Sequence, residues 1–121
     1  MSTHIKKLED LLLVNVPADL ADTQILGLRR AILAGIERER PRWLLLDFSE
    51  VEICDSFFGR FVETMVSMAR LMGMRVVVCG LSDAVVETMV EMGFELPDVT
   101  SLLDIDDALA FTRRARAVQP R

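Results

Sequence analysis

Trp43-Leu44-Leu45-Leu46-Asp47-Phe48 is apolar on both sides of an extended chain. A strand with one wet face alternates between apolar and polar residues. A strand that does not alternate is covered on both faces, as in a sheet between helical layers. Arg75-Val76-Val77-Val78-Cys79 has the same character and is stopped by Gly80. Between these runs, a helix is expected from about Ser56 to Met72, with Gly73 placed to close it. Buried strand, helix, buried strand is the repeating unit of a parallel sheet with crossover helices.

The pattern continues in both directions. Leu11-Leu12-Leu13-Val14-Asn15-Val16 is a short apolar run stopped by Pro17. Ile5 and Leu8 begin a first strand, with Glu9-Asp10 as the turn between the two. From about Asp22, read as an N-cap, to Arg38, the residues Ile25, Leu28, Ile32, Leu33 and Ile36 recur at helical spacings, and Pro41 breaks the chain. A short helix is expected from about Asp83 to Met92, ending at Gly93, and a last strand from Val99 to Leu103, after Pro97. The final helix starts at Asp104 as its cap. Asp106 and Asp107 in its first turn and Arg113, Arg114 and Arg116 near its end match the helix dipole. The tail after Arg116 is expected to fray.

The expectation is one α/β domain over residues 1–121, with a mostly parallel sheet of about five strands and about four α-helices. The two leading strands leave their mutual pairing open, and an antiparallel pair would make the sheet mixed.

Composition narrows the chemistry. The chain has 121 residues, 51% of them hydrophobic, enough for a core without disulfides or a metal. No apolar run approaches the roughly 20 residues of a membrane span. Met1-Ser2-Thr3-His4-Ile5-Lys6-Lys7 lacks the apolar stretch of a signal peptide, so a cytoplasmic protein is expected. The net charge of −5 opposes sequence-independent contact with nucleic acid. Cys54 and Cys79 belong to no Cys-x-x-Cys pair and read as buried, reduced thiols. His4 is the only histidine and there is no tyrosine, so a metal centre or a histidine triad has little to build on. The scattered glycines form no P-loop or dinucleotide fingerprint, and no cofactor is expected. Asp47 ends a central strand as a receiver phospho-acceptor does, but Asn15-Val16-Pro17 offers no acidic pair to hold magnesium. Arg38, Arg40 and Arg42 read as a solvated helix end, and Met65, Met68, Met72, Met89 and Met92 as core faces of helices.

Parallel α/β sheets carry their sites on the loops after the strands' carboxyl ends. After the Trp43 strand that loop is Ser49-Glu50-Val51-Glu52-Ile53-Cys54-Asp55-Ser56. A serine opening a helix is first of all a cap. The same place also suits an added phosphate, because free N–H groups and the dipole favour an anion there. A phosphoserine brings about −1.5 to −2 charges, here beside Asp55. On the helical wheel, Arg60, Glu63, Ser67 and Arg70 form a polar face, and Phe58, Phe61, Val62, Met65, Ala69 and Met72 an apolar stripe. Phe57 lies at the stripe's edge. Two places remain open for it: a contact surface beside Ser56 and Arg60, or the rim of the sheet.

Asp55-Ser56-Phe57, the helix ending Met68-Ala69-Arg70-Leu71-Met72-Gly73, the strand Arg75 to Cys79 with Gly80-Leu81, and Val85-Val86-Glu87-Thr88-Met89-Val90-Glu91-Met92-Gly93 together resemble STAS domains. The resemblance covers nearly the whole chain and leans to the RsbS type, the small subunit of the bacterial stressosome. It implies a non-enzymatic binding module that packs with longer RsbR-type STAS proteins and sequesters an RsbT-type serine kinase. Phosphorylation releases the kinase, and a phosphatase resets the system. Ser56 then takes the place of the phosphorylated serine and Asp55 that of the preceding aspartate, with Phe57 and Arg60 beside them in the contact. Phe57-Phe58-Gly59-Arg60 departs from the Ser-Gly-Leu-Gly character of simple anti-sigma antagonists. A free-standing antagonist of an anti-sigma factor kinase is therefore the second reading. The two differ in size: a large co-assembly against a monomer or homodimer.

Overall fold

In the computed structural model, the described residues are 4–18, 21–52, 55–94, 96 and 98–118. Five strands and four helices follow one another: β1 (Ile5–Leu8), β2 (Leu11–Asn15), α1 (Asp22–Glu39), β3 (Trp43–Asp47), α2 (Ser56–Leu71), β4 (Arg75–Cys79), α3 (Asp83–Glu91), β5 (Thr100–Leu102) and α4 (Ile105–Val118). The strands lie in sequence order, β1-β2-β3-β4-β5. β1 pairs antiparallel with β2 through the Glu9-Asp10 turn, where Glu9 takes a φ of 56°. The remaining pairs are parallel, with Leu13 opposite Leu45 and Leu45 opposite Val77. The sheet is thus mixed, and its two leading strands form a hairpin.

Sheet order explains the layering. Each right-handed crossover from β2 to β3, β3 to β4 and β4 to β5 steps in the same direction, so α1, α2 and α3 fall on one face. Their buried side chains, among them Ile32, Val62, Met65, Val85 and Met89, close on Leu12, Val14, Leu44, Leu46, Val76 and Val78. The other face presents Leu11, Leu13, Trp43, Leu45, Val77 and Cys79, and α4 returns to cover it with Ala108, Leu109 and Phe111. This is why every residue of β3 is buried. On edge strand β1, the exposed Lys6 and Lys7 oppose pairing with further chains.

Three expectations change. Helix α1 is capped at Ala21, whose N–H is received by Gln24 Oε1 at 2.8 Å, so Asp22 is its first residue and not its cap. Helix α2 ends at Leu71, with Met72 as C-cap and Gly73 beyond it at a φ of +84°. Met72 and Met92 therefore lie past their helices and are exposed, while Met65 and Met89 are buried as core. At the other end, α4 continues to Val118, past the expected start of the tail, and Asp104 Oδ1 caps it by accepting the Asp107 N–H at 2.9 Å.

Candidate functional site

The strand ends are locked together around Asp47. Its Oδ2 accepts a hydrogen bond from Asn15 Nδ2 at 2.8 Å, and its Oδ1 accepts the Ser49 N–H at 3.0 Å and the Cys79 thiol at 3.6 Å. One carboxylate thus ties the ends of β2, β3 and β4. Gly80 passes so close that a Cβ there would meet Ser49 N at 2.8 Å and Asp47 Oδ1 at 3.0 Å, and its φ of +75° would strain any other residue. Burial, then the charge of Asp47, pushes the Cys79 thiol up to about 12. It is a protonated donor to Asp47 and not a nucleophile. Asp47 is spent on architecture, and no cluster of three potential metal ligands occurs among the described residues. Cys54 and Ile53 lie outside the described residues, so the reading of Cys54 as a buried thiol has no counterpart here.

The loop then delivers α2. Val51 N–H bonds back to Phe48 O at 2.9 Å, turning the chain over the sheet's end. Phe48 and Phe58 meet edge to face, with centroids 6.0 Å apart, and Phe58 is tilted against Phe61 at 6.1 Å. These buried rings hold the first turn of α2 to the end of β3. Asp55 is the N-cap: its Oδ1 accepts the Phe58 N–H at 2.8 Å, and its carbonyl accepts the Gly59 N–H at 2.9 Å. Ser56 is therefore the first helical residue and not the cap. Its hydroxyl takes no hydrogen-bond partner among the described residues, and the residue is exposed.

Around Ser56 the first turn faces solvent. Phe57 is 40% exposed, which places it on the surface and not under the rim. Arg60, one turn on from Ser56, is exposed and pairs with no carboxylate among the described residues. Asp55, Ser56, Phe57 and Arg60 thus form one continuous exposed patch at a helix N-terminus.

Sequence reasoning missed what stands behind this patch. Gly59 is buried under Phe94, and a Cβ on Gly59 would lie 2.1 Å from Phe94 Cε2. The Phe94 N–H bonds to Met89 O at 3.0 Å, so the same residue closes α3 and seats its end on α2. This brings the chain around the exposed Val90 and Met92 toward the first turn of α2. A glycine between two phenylalanines and an arginine was the only trace of the contact in the sequence. Elsewhere, Arg38 pairs with Glu39 at 3.0 Å as a solvated helix end does, whereas Arg42 is half-buried. No helix among the described residues is long and apolar enough to cross a membrane.

A serine exposed at the N-terminus of a helix whose cap is supplied by its neighbour can accept a phosphoryl group without loss of the cap. The chain superposes on a serine-to-glutamate variant of RsbS from Moorella thermoacetica with a TM-score of 0.84 and 25% identity, over 93% of this chain and 96% of that one. It superposes on a chain of the structure described as the molecular architecture of the stressosome, a signal integration and transduction hub, at 0.83 and 27% identity, over 92% and 96%. The anti-sigma factor antagonist SpoIIAA in its unphosphorylated form shares the fold at 0.74 and 14% identity, over 91% and 95%. Comparison with curated protein sequences found no match. The model of the STAS domain matches residues 2–108, and the chain belongs to the STAS domain family.

Proposed function

We propose that the chain, acting as one STAS module, is a phosphorylation-switched binding protein of a stressosome-type assembly in the cytoplasm. It holds a serine kinase of the RsbT type on the patch formed by Asp55, Ser56, Phe57 and Arg60, and releases it when Ser56 is phosphorylated. The carrying observation is that Asp55 caps α2 and leaves Ser56 exposed beside Phe57 and Arg60. Likeness to RsbS and to the stressosome structure supports the same reading. Longer RsbR-type STAS proteins are the expected co-assembly partners, and a phosphatase resets Ser56.

The switch is electrostatic and needs no unfolding. A phosphoryl group on the first helical residue meets the free N–H groups of the turn and, one turn away, Arg60. It also stands beside the Asp55 carboxylate, which already uses one of those N–H groups. A partner that covers Phe57 would have to desolvate this added charge, and burying a charge costs on the order of several kcal/mol unless the partner pairs it. Binding is lost while the fold persists. The arrangement supports binding: among the described residues, the buried Asp47 carboxylate and Cys79 thiol are hydrogen-bonded to each other.

The experiment mixes the protein with the RsbT-type kinase of its own genome and Mg-ATP, with and without a longer STAS partner, and maps the product by mass spectrometry. Modification at Ser56 with loss of kinase binding is expected. Ser56→Ala should retain the kinase, and Ser56→Asp should weaken binding in part. Equal kinase affinity for wild type and both variants would sink the switch. A monomer or homodimer that never joins the longer STAS protein would favour the free-standing antagonist.

A further inference from the structure

The far end of the sheet carries a charge pattern that the Ser56 patch does not explain. Arg42 precedes β3 and Arg75 begins β4, joined by the Arg75 N–H to Arg42 O bond at 3.1 Å. The end of α4 arrives beside them. Together they wall a hollow of about 510 Å³ lined by Arg42, Trp43, Arg75 and Arg116. It runs into a second of about 420 Å³ lined by Arg75, Phe111, Arg114 and Val118. The Arg75 guanidinium lies 4.4 Å over the Trp43 ring, which holds it in place. Arg116 reaches Glu9 and Asp10 only at 3.8 and 3.6 Å. Arg42, Arg75 and Arg114 pair with no carboxylate among the described residues. In a chain of net charge −5, this is a concave site whose positive charge is compensated only at Arg116, leaving Arg42, Arg75 and Arg114 in excess.

Its complement stands on the same helix. Helix α4 has 14 residues, so its start lies about 20 Å away, at the opposite end of the sheet. There Asp104, Asp106 and Asp107 are exposed, and none forms a close ion pair among the described residues, although the charge of Asp106 acts on Arg113 further along the helix. Leu103 beside them is 77% exposed, and Val118 beside the hollow is 78% exposed. Each end therefore offers an excess of charge of one sign next to one bare aliphatic side chain.

We propose that the basic hollow receives the acidic first turn of α4 from a second copy of this chain, joining copies head to tail. Such a contact is heterologous: every copy keeps one free end of each kind, and growth continues until the rotation closes a ring. A single exposed ion pair contributes about 0–1 kcal/mol, so the contact depends on several charges acting together in a concave site. It uses neither Ser56 nor its neighbours, and its failure leaves the reading of that patch untouched.

The test is sedimentation velocity on the full chain over a concentration series, at about 50 mM and about 500 mM salt. Mass should rise with concentration at low salt, and association should weaken at least about tenfold at high salt. Arg75→Glu/Arg114→Glu should be monomeric, as should Asp106→Lys/Asp107→Lys. An equimolar mixture of the two should associate again, because the intact acidic turn of the first meets the intact hollow of the second. Circular dichroism checks the fold, and Arg114→Glu alone replaces the first variant if that one does not fold. Wild type that stays monomeric throughout, variants that associate like wild type, or a mixture that stays monomeric would each overturn the proposal. A monomer that binds inorganic polyphosphate in the hollow would assign the site to a free anion and overturn it equally.

Discussion

Asp and Ser are both strong N-caps, and they stand side by side at the start of α2. Composition alone ranks them equal. The structure separates them, because the Asp55 carboxylate reaches the Phe58 N–H at 2.8 Å and Ser56 has already turned into the helix. The consequence is measurable. Asp55→Ala should cost about 1 kcal/mol in urea unfolding, whereas Ser56→Ala should stay within about 0.5 kcal/mol of wild type. A larger loss for Ser56→Ala would make Ser56 a structural residue after all. Cys79 gives a second prediction. Its thiol is held up at about 12, against an ordinary 9.0, by burial and then by Asp47. Between those values the folded thiol keeps its proton and the unfolded one has lost it, so stability falls as pH rises through that window. Cys79→Ala should flatten the alkaline decline in stability relative to wild type. Identical slopes would mean that Cys79 titrates normally.

Helix α2 was legible in its start, its face and its approximate length, because Phe58, Phe61, Val62, Met65 and Ala69 follow the helical period and are buried. Periodicity is blind to where the last turn stops. Met72 continues the apolar stripe on paper, but the helix ends at Leu71 and Met72 is 45% exposed. It is equally blind to contacts between distant segments, and the seat of α3 on α2 is one of these. Gly59 exists at that position because Phe94 fills the space of its missing Cβ. Gly59→Ala should therefore lower stability by about 1–3 kcal/mol, although alanine is the better helix former. In the Phe94→Ala background the same change should cost much less, with a coupling of at least about 0.5 kcal/mol in the double-mutant cycle. Additive effects would mean that Phe94 does not rest on Gly59 in solution.

The layered architecture was readable because β3 and β4 are apolar on both faces, and such strands need helices above and below them. Which helix covers which face was not readable, since it depends on every crossover stepping the same way. The outcome is lopsided: α1, α2 and α3 share one layer, and α4 alone packs on the other. The second face therefore depends on one helix, whose Ala108 is buried against the sheet and whose Phe111 ring meets Trp43 edge to face at 5.8 Å. Trp43 is the sole tryptophan, so its emission reports on this face alone. Phe111→Ala removes the ring and uncovers the indole beneath it. It should cost about 2 kcal/mol, less than a fully buried phenylalanine because Phe111 is only partly buried, and should shift Trp43 emission to the red. Phe111→Leu keeps apolar cover without the ring contact and should recover most of the emission and part of the stability. If Phe111→Ala left both stability and emission unchanged, α4 would not be the lid of this face. The basic hollow, which shares Trp43, Arg75 and Phe111 with it, would then lose its wall.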